Sequence, residues 1–207
     1  MNDYIIKVLI SLIVFAAVLI FGIIVIKIEG LSIDFKLKKI FNNQKYRDFK
    51  KIMEKATMLA NVETIFIIGL PILFFLAYEK EYVMITSIVV SIFSSVGISQ
   101  LLKIIFRVKR PTKSKEFDYI GYSFPSGHST VGMSFYLTLG IVLTGASGFK
   151  VLVLLAFLLG ISIGASRIVL GVHWFSDVIA GLILGVLCSY WSVYLYKIGY
   201  YFKWLFI

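Results

Sequence analysis

Six long apolar stretches constrain the fold of this chain more than any other feature of its sequence. They lie at Tyr4–Ile26, Met58–Tyr78, Tyr82–Phe106, Ser129–Leu143, Val151–Ala165 and Val178–Leu195. Most approach the roughly 20 residues that a helix needs to cross the hydrocarbon core of a bilayer. In lipid the backbone must satisfy its own hydrogen bonds, and no stretch alternates as a barrel strand does, so each is predicted to be helical. The sequence therefore predicts an all-α integral membrane protein: a bundle of six transmembrane helices forming one domain over residues 1–207.

The composition supports this interpretation. Hydrophobic residues make up 59% of the 207 residues, which is more apolar surface than a soluble domain of this size can bury. The formal net charge is +10. In a membrane protein such an excess points to anionic lipid headgroups or an anionic substrate, and nucleic acid is not expected as a partner.

The stretch Lys27–Lys55, between the first two apolar segments, mixes basic and apolar residues at about helical spacing. This pattern is typical of an amphipathic helix that lies in the headgroup region. A solvated basic loop is the alternative.

Six crossings would bring three polar stretches to one face of the membrane: Lys27–Lys55, Arg107–Gly127 and Ser166–Asp177. That face carries sixteen Lys and Arg residues, against five on the face that holds both termini. Taken literally, the positive-inside rule predicts that the sixteen face the cytoplasm.

Three polar motifs stand at predicted helix ends on this face. They are "KIIFRVKRP" (Lys103–Pro111), "PSGH" (Pro125–His128) and "SRIVLGVHWFSD" (Ser166–Asp177). Each alone has an ordinary explanation, as a juxtamembrane anchor, a turn before a helix, or a polar helix cap. Together they contain both histidines of the chain on one face, and this combination indicates a functional site.

The residue types in these motifs suit the chemistry of a phosphate group. His173 and Asp177 are four residues apart, so on a helix their side chains can meet. A carboxylate bonded to one ring nitrogen fixes the tautomer and leaves the other nitrogen with a lone pair, as a nucleophilic histidine requires. Lys103, Arg110 and Arg167 supply positive charge and N–H donors that match phosphate oxygens.

The "PSGH" motif adds two further elements. Gly127 allows a close approach of the backbone, and the start of the following helix presents free N–H groups to an anion. His128 at that helix start could donate a proton to a leaving oxygen.

Two other chemistries are open to these residues. Both histidines and Asp177 could hold zinc, but the three cations would then surround a dication with like charge. Ser126 could be a nucleophile, but it lacks the strand–turn–helix context of a nucleophile elbow.

The three motifs resemble, in order and in internal spacing, the signature of the type 2 phosphatidic acid phosphatases. These are membrane relatives of bacterial acid phosphatases and vanadium haloperoxidases. The resemblance rests on Lys103, Arg110-Pro111, Pro125-Ser126-Gly127-His128, Ser166-Arg167, His173 and Asp177, and covers residues 103–177 by motif.

The resemblance implies a role for each matched position. His173 attacks phosphorus and carries a phosphohistidine intermediate, Asp177 orients it, and His128 protonates the leaving group and then activates water. The phosphate oxygens are held by Lys103, Arg110, Ser126, Gly127 and Arg167. No metal or other cofactor is expected.

The resemblance also implies a function and a location. We expect a multi-pass protein of the cell membrane that hydrolyses a lipid phosphate, with its site on the extracytoplasmic face, in conflict with the positive-inside count. In bacterial relatives the substrate would be undecaprenyl diphosphate, phosphatidylglycerophosphate, phosphatidic acid or lipid A phosphate. A membrane phosphotransferase with another acceptor than water is the alternative, and a non-enzymatic lipid binder is a third class. The sequence leaves the physiological lipid and the oligomeric state open.

Overall fold

The computed structural model describes residues 2–112 and 121–202, and this part of the chain is helical with short connections. The helices are α1 (Asn2–Lys27), α2 (Ser32–Phe41), a single 3-10 turn (Gln44–Tyr46), α3 (Arg47–Met58), α4 (Val62–Tyr78), α5 (Tyr82–Phe106), α6 (Gly127–Ser147), α7 (Val151–Val169) and α8 (Phe175–Phe202). All six apolar stretches of the sequence fall on helices, on α1 and on α4 to α8.

Four of the described helices are long and apolar enough to cross a membrane: α1, α5, α7 and α8. A fifth span results if the 3-10 turn, α3 and α4 are counted together as one, although they are bent by 46° at the break between Met58 and Val62. Helix α6 is not among the four, and its sequence is rich in Gly, Ser and Thr.

Helix α6 lies at the centre of the bundle, packed against α5, α7 and α8. Most of its side chains are buried, and two of its polar ones bond to neighbouring helices. Ser134 Oγ donates to the Ser91 carbonyl of α5 over 3.0 Å, and Thr138 Oγ1 donates to Ser189 Oγ of α8 over 3.0 Å. Such hydrogen bonds are a common means of joining helices within a membrane.

Two glycines of α8 allow this helix to approach α6 closely. A Cβ atom on Gly181 would lie 2.7 Å from the Ser126 carbonyl oxygen, and one on Gly185 would lie 2.6 Å from that of Thr130. Both distances are shorter than a real side chain permits. The two glycines therefore bring the start of α6 and the start of α8 side by side.

The basic stretch Lys27–Lys55 differs from the single amphipathic helix predicted for it. It contains α2 and α3, separated at Asn42 and Asn43. The Asn43 side chain accepts a hydrogen bond from the Lys45 backbone over 2.9 Å, and such local bonding by Asn favours a turn over a continuous helix. Helix α2 packs on α7 and α8, and α3 packs on α7.

One acidic residue fastens α2 to the bundle. Asp34 is only 2% exposed, although most of its neighbours on α2 face outward. Its carboxylate accepts hydrogen bonds from the backbone N–H and the hydroxyl of Ser176, over 2.9 and 3.0 Å, and from the Leu31 N–H over 2.9 Å. Because Ser176 is in the first turn of α8, Asp34 joins α2 to the N-terminus of that helix.

Candidate active site

His173 and Asp177 make the contact that their spacing predicts. His173 lies in the turn after α7 and Asp177 in the first turn of α8. The Nδ1 atom of His173 is 3.3 Å from Asp177 Oδ2, and both side chains are buried. Asp177 Oδ2 also accepts the Trp174 backbone N–H over 2.8 Å, which closes the turn and fixes the carboxylate.

Ser123 is a third member of this group. Its Oγ lies 3.2 Å from His173 Nδ1, and its hydroxyl donates to Asp177 Oδ2. A proton on His173 Nδ1 therefore faces two acceptor oxygens. This arrangement favours the tautomer in which Nε2 carries the lone pair, the form that a nucleophilic histidine needs.

The cations predicted to bind phosphate gather around His173. Lys103 and Arg167 are almost completely buried, at 1% and 0% exposure. Burial, followed by the positive charges of Arg167, Arg110 and Lys103, lowers the pKa of His173 well below its ordinary value. The imidazole is therefore neutral near pH 7, and the cations that would bind an anion also keep its nucleophilic lone pair free.

Arg167 is held by a residue that the sequence did not single out. Its Nη1 donates to Thr57 Oγ1 on α3 over 2.7 Å. The neighbouring Ser166 is completely buried, and its hydroxyl donates to the Ile163 carbonyl of its own helix over 2.6 Å. Ser166 thus serves helix packing rather than the polar cluster.

The "PSGH" motif forms the start of α6, beside Lys103. A Cβ atom on Gly127 would lie 3.7 Å from Lys103 Nζ, so the N-terminus of α6 and this ammonium group are adjacent. His128 is partly buried, with Nε2 3.0 Å from Asn61 Oδ1. Ser126 is buried, and its hydroxyl accepts from Ser129 Oγ over 2.8 Å.

The backbone joins this motif directly to the third one. The Ser126 N–H donates to the Asp177 carbonyl oxygen over 3.0 Å. The first motif is joined to the third through side chains: the hydroxyl of Thr112, directly after the first motif, donates to the Gly171 carbonyl over 2.8 Å, and Trp174 Nε1 donates to that of Lys109 over 2.9 Å. All three motifs thus meet in space.

A cavity of about 990 Å³ opens onto this cluster and continues between α4 and α5. Its polar lining includes Lys103, Gly127 and His128, together with Thr57, Asn61 and two acidic residues, Glu54 and Glu63. Its far end is apolar and is lined by residues such as Leu70, Leu73, Ile88, Ile92 and Phe93. The shape suits a molecule with an anionic end and a long apolar portion.

Four residues that lie at or beside the cluster were not predicted from the sequence: Asp34, Thr57, Asn61 and Ser123. Ser123 had a usable signal, since it stands only five residues before His128 in the same polar stretch. The other three lie outside the motifs, and nothing in their local sequence marks them. Within the described ranges no three His, Cys, Asp or Glu side chains come together as metal ligands would.

Comparisons with known proteins agree with the motifs. A model of the PAP2 superfamily matches residues 84–199. An undecaprenyl-diphosphatase of Sulfolobus acidocaldarius is 33% identical over 94 residues, which are 45% of this chain and 43% of that protein. The match thus spans less than half of that relative.

Two solved structures share the fold. A transmembrane PAP2-type phosphatidylglycerolphosphate phosphatase from Bacillus subtilis superposes with a TM-score of 0.68, at 20% identity, over 88% of this chain and 93% of its own. LpxE of Aquifex aeolicus superposes with a TM-score of 0.61, at 24% identity, over 80% of this chain and 98% of its own. With its apolar helices, the chain therefore has the architecture of a multi-pass membrane protein.

Proposed function

The chain belongs to the PAP2 superfamily, and from that membership we propose that it is a metal-independent lipid phosphate phosphatase. One observation carries the proposal: the buried His173, bonded through Nδ1 to Asp177 and Ser123, lies among three cations, one of which, Lys103, lines a cavity with apolar walls. A binding protein would use the cations but has no need of an oriented, neutral imidazole.

In the proposed mechanism, Lys103, Arg110 and Arg167 hold the phosphate oxygens, with the N–H groups at the start of α6. His173 Nε2 attacks phosphorus, while the Nδ1–H remains bonded to the two oxygens. The P–O bond to the lipid breaks as His128 gives its proton to the leaving oxygen. His128 then takes a proton from water, and the resulting hydroxide attacks phosphorus and breaks the N–P bond. Fixed cations and N–H donors stabilise the charge that spreads over the equatorial oxygens.

The substrate would be a phosphomonoester or diphosphate of a membrane lipid. The phosphate would bind at Lys103 and Gly127, and the apolar chain would lie along the cavity between α4 and α5. Undecaprenyl diphosphate and phosphatidylglycerophosphate are the first candidates, because they correspond to the names of similar proteins. Lipid A phosphate and phosphatidic acid complete the panel to be tested.

The proposal includes an arrangement in the membrane. We infer six crossings in one domain, by α1 and by α4 to α8, with α2 and α3 in the headgroup layer and the site on the extracytoplasmic face. The exposed lysines of α2 and α3 would then contact anionic headgroups. One of these lysines has contacts within the protein that account for its position: Lys38 donates to the Pro111 carbonyl over 3.0 Å, and its Nζ lies 5.1 Å from the centre of the Trp174 ring. A Lys39→Cys variant without Cys188 tests the side, because a membrane-impermeant maleimide should label it in intact cells.

The experiment that tests the activity is phosphate release by the purified protein in detergent, with excess EDTA, from the four lipids named above. We expect release from at least one lipid, loss of release in His173→Ala and Lys103→Gln, and normal release in Lys39→Gln. Lys39 is the matched control, because it is an exposed cation of α2, whereas Lys103 is buried beside Gly127.

Other outcomes would contradict the proposal in different ways. Activity that EDTA abolishes and zinc restores would replace the histidine mechanism by a metal centre. Full activity of His173→Ala would show that another group attacks phosphorus. A folded protein that releases phosphate from no lipid would indicate a transferase or a binding protein.

A further inference from the structure

The turn between α3 and α4 contributes a polar side chain to the site from outside the three motifs. Asn61 is the residue that precedes α4, the position at which Asn usually caps the free N–H groups of the first turn. Here its side chain makes no such bond. Its Oδ1 atom instead lies 3.0 Å from His128 Nε2.

The position of Asn61 is determined by packing on the central helices. The Leu59 carbonyl accepts the Tyr136 hydroxyl of α6 over 2.7 Å, and the adjacent Ala60 is only 6% exposed. On the other side of this turn, Thr57 accepts from Arg167 of α7. The Asn61 amide is thus presented to His128 by a turn that is bonded to both α6 and α7.

We propose that Asn61 is a positioning residue for His128, which it orients through the Nε2–H of the ring. An amide oxygen can only accept, so the 3.0 Å contact requires a hydrogen on Nε2. In the proposed cycle Nδ1 is the nitrogen that gives its proton to the leaving oxygen and later takes one from water. Nε2–H remains bonded to Asn61 in both steps, so the ring keeps its orientation throughout the cycle.

This inference rests on the proposed function, in which His128 is the general acid, and it predicts a particular kinetic signature. An alkoxide leaving group needs a proton as the P–O bond breaks, whereas p-nitrophenolate leaves readily without one. Loss of a general acid typically costs about 10²- to 10⁴-fold, and misplacing it costs part of that. Asn61→Ala should therefore lower kcat/KM for phosphatidic acid, which reports the steps up to departure of the leaving group, by about 10- to 100-fold. For p-nitrophenyl phosphate, kcat/KM should change by less than about 3-fold, whereas kcat falls for both substrates because His128 also activates water in the step they share.

The experiment measures kcat and KM for both substrates in the wild type, Asn61→Ala, Asn43→Ala and His128→Ala. Asn43 is the matched control, because it also precedes a helical turn but caps it in the ordinary way, with its side chain on the Lys45 N–H. We expect Asn43→Ala to behave as the wild type and His128→Ala to show the same selective loss as Asn61→Ala, but larger.

Two further variants keep the test available if Asn61→Ala does not fold. Asn61→Asp retains an acceptor and should preserve the ratio of the two kcat/KM values, whereas Asn61→Leu has a similar volume without an acceptor and should lose kcat/KM on phosphatidic acid selectively. Equal losses of kcat/KM on both substrates in the folded Asn61 variants, or no loss at all, would overturn the inference. If His128→Ala lacks the selective loss, the general acid of the proposed function is wrong, and if the wild type hydrolyses neither substrate, the phosphatase proposal itself fails.

Discussion

Replacing Asp34 with Ala tests whether the contact between α2 and α8 stabilises the protein. The substitution removes the acceptor for two donors of Ser176, its backbone N–H and its hydroxyl, in a residue that is completely buried. An unsatisfied buried donor costs about 1–3 kcal/mol. The Leu31 N–H also loses its partner, but Leu31 is partly exposed, so water can replace the carboxylate there.

We expect Asp34→Ala to lower the free energy of unfolding by about 2–4 kcal/mol. Each of the two donors is counted near the lower end of the range, because the truncation also removes the cost of burying a carboxylate. For a chain of this length each kcal/mol lowers Tm by about 2–4 °C, so the midpoint should fall on the order of 10 °C. Asp34→Asn keeps one carbonyl acceptor and should lose about half as much. Asp48→Ala is the control, because the Asp48 side chain on α3 is 91% exposed, and it should not change the midpoint.

Thermal unfolding can be followed with a thiol-reactive fluorophore in detergent. Cys188 is the only cysteine of the chain and is buried, so its labelling reports loss of the fold. If Asp34→Ala and Asp48→Ala unfold at the same temperature, the bonds to Ser176 contribute nothing and the reasoning is refuted.

Three further predictions concern the catalytic cluster. Ser123→Ala removes the hydroxyl between His173 and Asp177 and should lower kcat by about 10-fold with little change in KM; an unchanged kcat would show that Asp177 alone orients the imidazole. Thr57→Val keeps the volume of the side chain but leaves the Arg167 Nη1 donor without its acceptor, and should lower kcat/KM for lipid phosphates by about 10-fold, which a steady-state titration would measure. In the proposed mechanism the neutral form of His173 attacks, and burial together with nearby positive charge lowers the pKa of His173, so kcat/KM should fall as pH drops through that pKa. Arg167→Gln removes such a charge, so the acid limb of its residual activity should lie at higher pH than in the wild type with the same substrate, and an unshifted or downward-shifted limb would contradict this.

Features that depend on short-range spacing could be predicted from the sequence. The apolar stretches could be predicted to be helices, because a segment in lipid needs apolar side chains and must satisfy its own backbone hydrogen bonds. The pair His173 and Asp177 met because four residues separate them at a helix start. The motifs also identified the buried cations Lys103 and Arg167, because a charged residue in an apolar surrounding is costly and usually serves a functional site.

Features that depend on how the helices pack could not be predicted. Asn61 and His128 are 67 residues apart in the chain, and Asp34 and Ser176 are 142 apart, so no local pattern connects them. The break between α2 and α3 was missed because the basic and apolar spacing continues across it, while the turn depends on the side chain of Asn43.

The central position of α6 has a consequence for the biosynthesis of this protein. Two of its hydroxyl groups, those of Ser134 and Thr138, bond to α5 and α8, and it is not among the described helices that are long and apolar enough to cross a membrane. We expect α6 to leave the translocon together with its neighbours, because alone these two hydroxyl groups would lack those partners in lipid. His128 stands at its first turn, and Asp177 arrives only with α8, which is made after α6 and α7. A nascent or truncated chain that lacks α8 should therefore be catalytically silent, and phosphate chemistry should begin only once α8 has joined the bundle.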